Sequence, residues 1–331
     1  MRKLTWFLSA ILLIFLVSCA ASNEVAVGQS PTTDLIEGVE STFQTTSISP
    51  DSDPPSIEPT SIQSSSTSTN SASSTEHLPS VDTRPLPVDW QKWPVIPDVS
   101  PWLKAIYAQG LAEGNDPHAF SKIGDCQNVA ELFLSPFDIP PIYRLGDKYS
   151  YLMPTIEQFS GNWKRQSQAV RGGFNVASVL SSYFSDKEVC ENDETPLECE
   201  FRLNKPSIAI ISMETWTSKR PPEVYEGYLS QIVEFVLANN VIPILATKAD
   251  NVEGDQSINA AIARVAFQYD VPLWNFWAAV QSIPWKGLTE DNFHLTVGKN
   301  YFDDPVEMER AWPIRNLTAL QVIDAVWLAL K

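Results

Sequence analysis

Residues 207–246 set the architecture of this chain, and they read SIAIISMETWTSKRPPEVYEGYLSQIVEFVLANNVIPILA. Ser207 to Ser212 is a short apolar run rich in β-branched residues, which is typical of a buried strand. Glu223 to Asn239 follows as a predicted amphipathic helix, and Val241 to Ala246 is a second apolar run of strand length. A strand, a helix and a strand in this order predict a βαβ unit of a parallel sheet. The buried face of the helix is predicted to carry Val224, Tyr228, Ile232, Phe235 and Val236.

The same alternation extends in both directions from this unit. Before it, Ser100-Pro101 is typical of a helix start, with a helix expected through Ala112, and Ala119 to Ile123 is strand-like. After it come a helix at Ile258 to Tyr269, a strand at Val271 to Phe276 and a last helix at Thr318 to Leu330. The pattern predicts a three-layer α/β/α sandwich with a mostly parallel central sheet. Binding residues are then expected in loops at the carboxyl ends of the strands.

The N-terminus has the pattern of an export signal. Arg2 and Lys3 precede an apolar run from Leu4 to Val17, which ends at Ser18 and Cys19. This junction resembles the bacterial lipobox, in which the cysteine is acylated and becomes the mature N-terminus. The resemblance implies a signal peptide at residues 1–18, lipidation of Cys19, and a protein anchored to the membrane by lipid at the extracytoplasmic surface. The alternative is an ordinary signal peptide with an incidental cysteine.

Residues 19–87 predict a disordered acidic tether, because Ser, Thr and Pro dominate and aromatic residues are almost absent. About half of the net charge of −17 lies there, and this negative charge argues against nucleic acid as a partner. Residues 88–331 are long enough for one large domain. Within it, Cys190 and Cys199 flank a short acidic loop that an oxidising compartment is expected to close with a disulfide; two reduced thiols are the alternative.

Four short segments fall where loops at the sheet edge are expected. We number them as blocks: block one is Ile123 to Cys126, block two Arg171 to Asn175, block three Ser212 to Thr215, and block four Asp291 to Thr296. In block four, Asp291 and His294 are three residues apart, so the carboxylate can hydrogen-bond one imidazole nitrogen and leave the other as a base. The alternative is a capped turn with a surface histidine. His118, which precedes the first strand, is expected to be structural.

In order and spacing, the four blocks resemble the SGNH/GDSL hydrolase family, whose fold and acyl-ester hydrolysis are then the expectation. The resemblance implies a Cys126–His294–Asp291 triad, with Cys126 where the family has serine. It also implies an oxyanion site formed by the N–H groups of Cys126 and Gly173. A thiolate is a competent nucleophile once an imidazole lowers its pKa, but a cysteine at this position is also compatible with an inert core residue.

Block three departs further from the family pattern. Glu214 stands where the family has an asparagine, and an ionised carboxylate repels an oxyanion unless burial keeps it protonated. Asn175 is an alternative amide donor. Asp125, Glu214, Lys248 and Asp250 are predicted to line the substrate crevice, although a solvated charged loop is the alternative for the last two.

Two functions remain open from the sequence. The first is a cell-surface esterase that acts on an acyl ester of a glycan or lipid. The family resemblance implies no cofactor. No metal is predicted, because the acidic residues after Lys248 lack the spacing of a calcium loop. The second is a catalytically inactive SGNH-like module that binds a glycan or protein at the envelope. A solute-binding lipoprotein fits poorly, because the domain has no duplicated half.

Overall fold

A computed structural model describes residues 84–213, 216 and 220–331. The predicted signal peptide, the lipidation site Cys19 and nearly all of the tether lie outside the described residues, as does Glu214 of block three. The described chain makes tertiary contacts from its first residue, because the Arg84 guanidinium pairs with Asp270 at 2.8 Å and donates to the Phe267 carbonyl.

The central sheet has four parallel strands. Its spatial order is first, third, fourth and fifth in chain order, and every neighbouring pair is parallel. A separate two-stranded parallel ladder joins the remaining two strands. The strands are β1 Asp116–Gly124, β2 Tyr143–Arg144, β3 Pro206–Ser212, β4 Ile242–Ala246, β5 Leu273–Trp274 and β6 Asn300–Tyr301.

Helices cover the sheet in two groups. The helices are α1 Leu103–Glu113, α2 Gly146–Tyr149, α3 Met153–Gln158, α4 Pro196–Asn204, α5 Pro222–Ala238, α6 Ser257–Tyr269, α7 Phe276–Val280 and α8 Ala311–Leu330. One group packs α5 against α6, and α4 joins it through the Phe201 and Phe235 rings at 5.2 Å. The other group packs α8 against α1, α3 and α7. All seven residues of β3 are buried, as expected for a strand covered on both faces.

This arrangement confirms the predicted α/β fold with a parallel sheet, and the largest differences lie at element ends. Helix α8 begins at Ala311 rather than at Thr318. Pro313 is compatible with the earlier start, because the first N–H groups of a helix have no intrahelical partner to lose. Strand β5 is only two residues long, because Asn275 caps α7 directly after it through its side-chain oxygen.

The buried face of α5 differs from the predicted one by a rotation of about one residue. Tyr225, Leu229, Ile232, Val233 and Val236 are buried, whereas the predicted Val224 is 40% exposed. The buried positions follow an i, i+4, i+7, i+8, i+11 pattern, which is a regular helical stripe. This stripe of α5 packs against α6 and β4.

Cys190 and Cys199 form a disulfide in the structure, with their α-carbons 5.3 Å apart. The bridge joins the loop before α4 to the first turn of that helix. Thr195 caps the helix, since its hydroxyl accepts from the N–H of Glu198, and the Glu198 carboxylate accepts from the N–H of Thr195. The disulfide and the cap together fix the position of the loop. No helix in the described part of the chain is both long and apolar enough to cross a bilayer.

A lysine is buried in the sheet. Lys122 lies on β1, is 1% exposed, and donates from Nζ to the Trp163 carbonyl at 3.1 Å. Burial, reinforced by the nearby positive charge of Arg165, lowers the pKa of Lys122 to about 7. The carboxylates of Glu200, Asp138 and Glu131 oppose this shift without cancelling it. The ammonium form therefore destabilises the folded state.

This burial predicts a pH-dependent stability. The pKa of lysine in an unfolded chain is about 10.4, and the pKa of Lys122 in the folded protein is about 7. Between pH 7 and about 10.4, Lys122 is therefore mostly protonated in the unfolded chain and mostly neutral in the folded protein. The contribution of Lys122 to stability is therefore lost as pH falls from 10 to 7. As pH rises across this range, the free energy of unfolding in urea should increase more for the wild type than for Lys122→Met. The difference should change by up to about 1.4 kcal/mol per pH unit. The exposed Lys164→Met is the control, and a constant difference between wild type and Lys122→Met would contradict the assignment.

Candidate active site

Cys126 lies immediately beyond the carboxyl end of β1. It begins a short 3-10 turn, Cys126–Asn128, and it is half-buried. The Asp125 side chain accepts from the N–H of Gln127 at 3.0 Å and so caps the turn. A Cβ atom at Gly124 would lie 2.1 Å from Asn128 Nδ2, so only glycine permits this close approach. Block one therefore presents the thiol at the sheet edge through a tight, capped turn.

Block two lies next to block one. Gly124 forms a parallel bridge with Val170, and its N–H donates to the Ala169 carbonyl at 3.0 Å. The following turn is closed by the N–H of Phe174, which donates to the Arg171 carbonyl at 3.0 Å, and Gly173 occupies it at φ 83°. A Cβ atom at Gly172 would lie 3.9 Å from Cys126 Cβ. Block two therefore approaches Cys126 through Gly172, the residue before the predicted oxyanion residue Gly173.

The structure also brings together the two polar residues of block four. His294 Nδ1 lies 2.5 Å from Asp291 Oδ2, and both side chains are close to half-exposed. The other carboxylate oxygen, Oδ1, accepts from the N–H groups of Phe293 and His294 at 3.0 Å each. The Thr289 hydroxyl donates to the same oxygen at 2.6 Å. The turn therefore fixes the carboxylate, and the carboxylate orients the ring with Nε2 pointing away from it.

The same contacts control the charge of Asp291. Burial alone would raise the pKa of this carboxyl, but the His294 ring, the Thr289 hydroxyl and the two backbone N–H groups hold the pKa well below its usual range. Asp291 is therefore ionised wherever the protein is folded near neutral pH. A fixed negative charge beside Nδ1 stabilises the imidazolium that forms when Nε2 accepts a proton.

Blocks one and four meet at the same edge of the sheet. Gln127, the residue after Cys126, donates from Nε2 to the carbonyl of Phe293, the residue before His294, at 3.4 Å. This long hydrogen bond joins the loop of the thiol to the loop of the imidazole. The structure therefore brings a thiol loop and a loop with a paired imidazole and carboxylate into contact at one edge of the sheet.

Two residues that organise this edge were not identified from the sequence. Arg315 of α8 is fully buried and donates to Asn128 Oδ1 at 3.2 Å and to Ser212 Oγ at 2.8 Å. Asn128 donates in turn to the Ser212 carbonyl at 2.7 Å. One sequence signal could have identified Arg315: it is a lone arginine in the otherwise uncharged segment 311–323. Such a residue in an apolar helix is usually paired.

Three predicted substrate-binding residues do not line an open crevice, and this corrects the expectation from the sequence. Asp125 and Asp250 are 0% exposed and Lys248 is 2% exposed. Lys248 Nζ lies 2.6 Å from both Asp250 and Glu253. Burial alone would lower the pKa of Lys248, but these two carboxylates raise it above its ordinary value. Lys248 and Asp250 are therefore paired inside the protein, so the alternative of a solvated charged loop does not hold for these two residues.

Asn175, the alternative oxyanion donor, is used in part for local structure. Its side-chain oxygen accepts from the N–H groups of Ala177 at 2.9 Å and Ser178 at 3.1 Å. This fixes the amide at the end of block two. The carboxylate that replaces the family's asparagine in block three, Glu214, lies outside the described residues.

One group of potential metal ligands occurs in the part of the chain that the structure describes. Ligand atoms of Cys190, Glu194 and Cys199 lie within 4.8 Å of one another. The two sulfur atoms are bonded to each other, so neither is the thiolate that a metal requires. His118, the histidine on β1, contacts the Gln158 carbonyl through Nδ1 at 2.8 Å, which is a structural role.

Comparison with known proteins gives structural neighbours only. No family model matches the chain, and no curated protein matches it. A solved structure from Desulfitobacterium hafniense, described as lipolytic and of the G-D-S-L family, is 15% identical, with a TM-score of 0.37, and covers 62% of this chain and 99% of its own. A GDSL-like lipase from Bacteroides thetaiotaomicron is also 15% identical, with a TM-score of 0.37 and coverage of 68% and 98%. TesA is 15% identical, with a TM-score of 0.36 and coverage of 64% and 98%.

Two of these three neighbours are described as G-D-S-L or GDSL-like proteins. With TM-scores of 0.36 and 0.37, the similarity assigns neither a family nor an activity to this chain. The α/β assignment itself follows from the strand order and the parallel pairing of the central sheet.

The block four geometry predicts a specific effect of Asp291→Asn. The asparagine keeps an oxygen for the backbone N–H groups, but it places either an amide or a neutral oxygen against His294 Nδ1. The ester hydrolysis proposed below should fall by about 10²-fold or more. Asp304→Asn is the matched control, because Asp304 also accepts a backbone N–H, from Val306 at 3.0 Å. Equal activity of wild type and Asp291→Asn would remove Asp291 from the site.

Proposed function

We propose that this protein is an extracytoplasmic lipoprotein whose folded domain is an SGNH-like ester hydrolase. The substrate class is an acyl ester of a glycan or lipid, and the catalytic triad is Cys126, His294 and Asp291. The observation that carries the proposal is the contact of His294 Nδ1 with Asp291 at 2.5 Å in a loop hydrogen-bonded to the loop of Cys126. The capped-turn alternative accounts for the position of Asp291 but not for the hydrogen bond between this loop and the loop of Cys126.

The proposed reaction passes through a thioester. His294 Nε2 accepts the proton of the Cys126 thiol while the sulfur attacks the ester carbonyl carbon. The intermediate collapses when the carbon–oxygen bond to the alcohol breaks and His294 returns the proton to the departing oxygen. Water then attacks the thioester with His294 as base, which releases the carboxylic acid and restores the thiol.

The negative charge that develops on the carbonyl oxygen needs hydrogen-bond donors. The N–H groups of Cys126 and Gly173 are the proposed donors; Gly173 follows Gly172, where an added Cβ atom would lie 3.9 Å from Cys126 Cβ. Each such donor contributes about 10²-fold to 10³-fold in rate. Asp125, Lys248 and Asp250 are omitted from the substrate-binding set because they are buried.

The hydrolase proposal is tested by a panel of 4-nitrophenyl esters with acyl chains from acetate to octanoate. Purified wild type should release nitrophenol, and Cys126→Ala and His294→Ala should each reduce this by about 10³-fold or more. His118→Ala is the matched control, because this exposed histidine lies on β1 away from the thiol loop. Undiminished hydrolysis by Cys126→Ala would refute the nucleophile.

The anchoring part of the proposal has its own test. Wild type expressed in a bacterium should sediment with membranes, because an acylated Cys19 inserts its lipid into the bilayer. Cys19→Ser should move the protein to the soluble exported fraction. Retention of Cys19→Ser in the membrane fraction would contradict lipidation.

A second function follows if the panel gives no turnover. The substitution of cysteine for serine and of Glu214 for asparagine in the family motifs favours an inactive module that binds a glycan or protein at the same edge. Binding of a glycan without hydrolysis of any ester would support that function in place of the first.

A further inference from the structure

A cavity of about 320 Å³ lies beside the thiol loop. Gly172 belongs both to its lining and to the immediate surroundings of Cys126 Cβ. The cavity therefore adjoins the proposed point of attack. Its volume is at the lower end of the range for small-molecule sites, enough for one compact unit of a substrate.

The lining of this cavity is polar. Two of its side chains are hydrocarbon, those of Val129 and Val170. The charged side chains are the carboxylates of Glu131 and Asp186 and the guanidinium of Arg171, and they give the cavity an excess of one negative charge. An acyl chain needs continuous apolar walls, and a phosphate-bearing lipid headgroup would be repelled by the excess carboxylate.

The walls are held in place by hydrogen bonds. Gln166 accepts from the N–H of Ala130 at 3.1 Å and donates to the Val170 carbonyl at 3.1 Å, so it joins two sides of the cavity. The N–H of Gln168 donates at 2.8 Å to Glu200, a buried carboxylate that also pairs with Arg165 at 2.5 Å. A preformed polar cavity of this kind favours a rigid, polar ligand, because little further ordering is needed when it binds.

The disulfide supports the wall that carries Asp186. The N–H of Cys190 donates to the Asp186 carbonyl at 2.8 Å, and Cys190 is bonded to Cys199 in the first turn of α4. The N–H of Glu188 donates to Asp186 Oδ1 at 3.0 Å. These contacts fix a hydrogen-bond acceptor at the cavity.

We propose that the cavity holds the alcohol part of the ester, and that this part is a neutral sugar unit. Sugar hydroxyls donate to the carboxylates of Glu131 and Asp186, and Arg171 donates to a sugar oxygen. The ester carbonyl then lies at Cys126, next to Gly172, with its acyl group outside the cavity. This inference rests on the proposed hydrolase function and deepens it, since it selects a glycan ester over a lipid ester.

The test compares 6-O-acetylglucose with hexyl acetate, using the full-length chain. The wild-type kcat/KM should be at least about tenfold higher for the sugar ester than for hexyl acetate. In the double variant Glu131→Gln/Asp186→Asn this preference should fall about tenfold. The fall should come from a higher KM for the sugar ester, because hydrogen bonds to charged groups are lost. Glu188→Gln, which removes an exposed carboxylate outside the cavity lining, is the matched control. A preference for hexyl acetate, or an unchanged ratio in the double variant, would overturn the proposal.

A binding measurement separates failure of the cavity from failure of the hydrolase. Methyl glycosides of glucose, galactose, mannose and N-acetylglucosamine are titrated into wild type and the double variant by saturation-transfer NMR. Binding of at least one glycoside by wild type and its loss in the double variant would support the cavity even if no ester is hydrolysed. Absence of binding by all four would refute the sugar cavity, whatever the result with esters.

Discussion

Arg315 joins three parts of the molecule that are far apart in the chain. From α8 its guanidinium donates to Asn128 in the thiol loop and to Ser212 at the end of β3. It also lies over the rings of Phe133, Trp274 and Phe276, at 4.8 to 5.2 Å. A buried guanidinium is costly unless it is hydrogen-bonded, so these contacts favour one arrangement of the thiol loop and the end of β3.

Helix α8 extends the same constraint to the imidazole loop. Thr296 lies two residues after His294. The N–H of Trp312 donates to the Thr296 carbonyl at 3.1 Å, and the N–H of Ala311 donates to the Thr296 hydroxyl oxygen at 2.9 Å. The first turn of α8 thus fixes the histidine loop, and the next turn fixes the cysteine loop. A single rigid helix is a more precise support for these two loops than contacts between the loops themselves.

The cavity and the proposed triad draw on different supports. The triad loops depend on α8, whereas the cavity walls depend on Glu200 and on the disulfide at the start of α4. Substitutions in one support should therefore leave the other in place.

The sequence by itself determined the order of strands and helices, because hydrophobic periodicity reports local structure. It also determined the Asp291–His294 pairing, which needs only a turn of four residues. Tertiary structure alone decided which stripe of α5 is buried, that Lys248 and Asp250 are inaccessible, and that Gln127 meets Phe293. It also decided that Arg315 contacts the thiol loop and that a polar cavity forms beside that loop. Each of these depends on residues brought together from distant positions, and burial and hydrogen-bond satisfaction there are set by packing rather than by any local pattern.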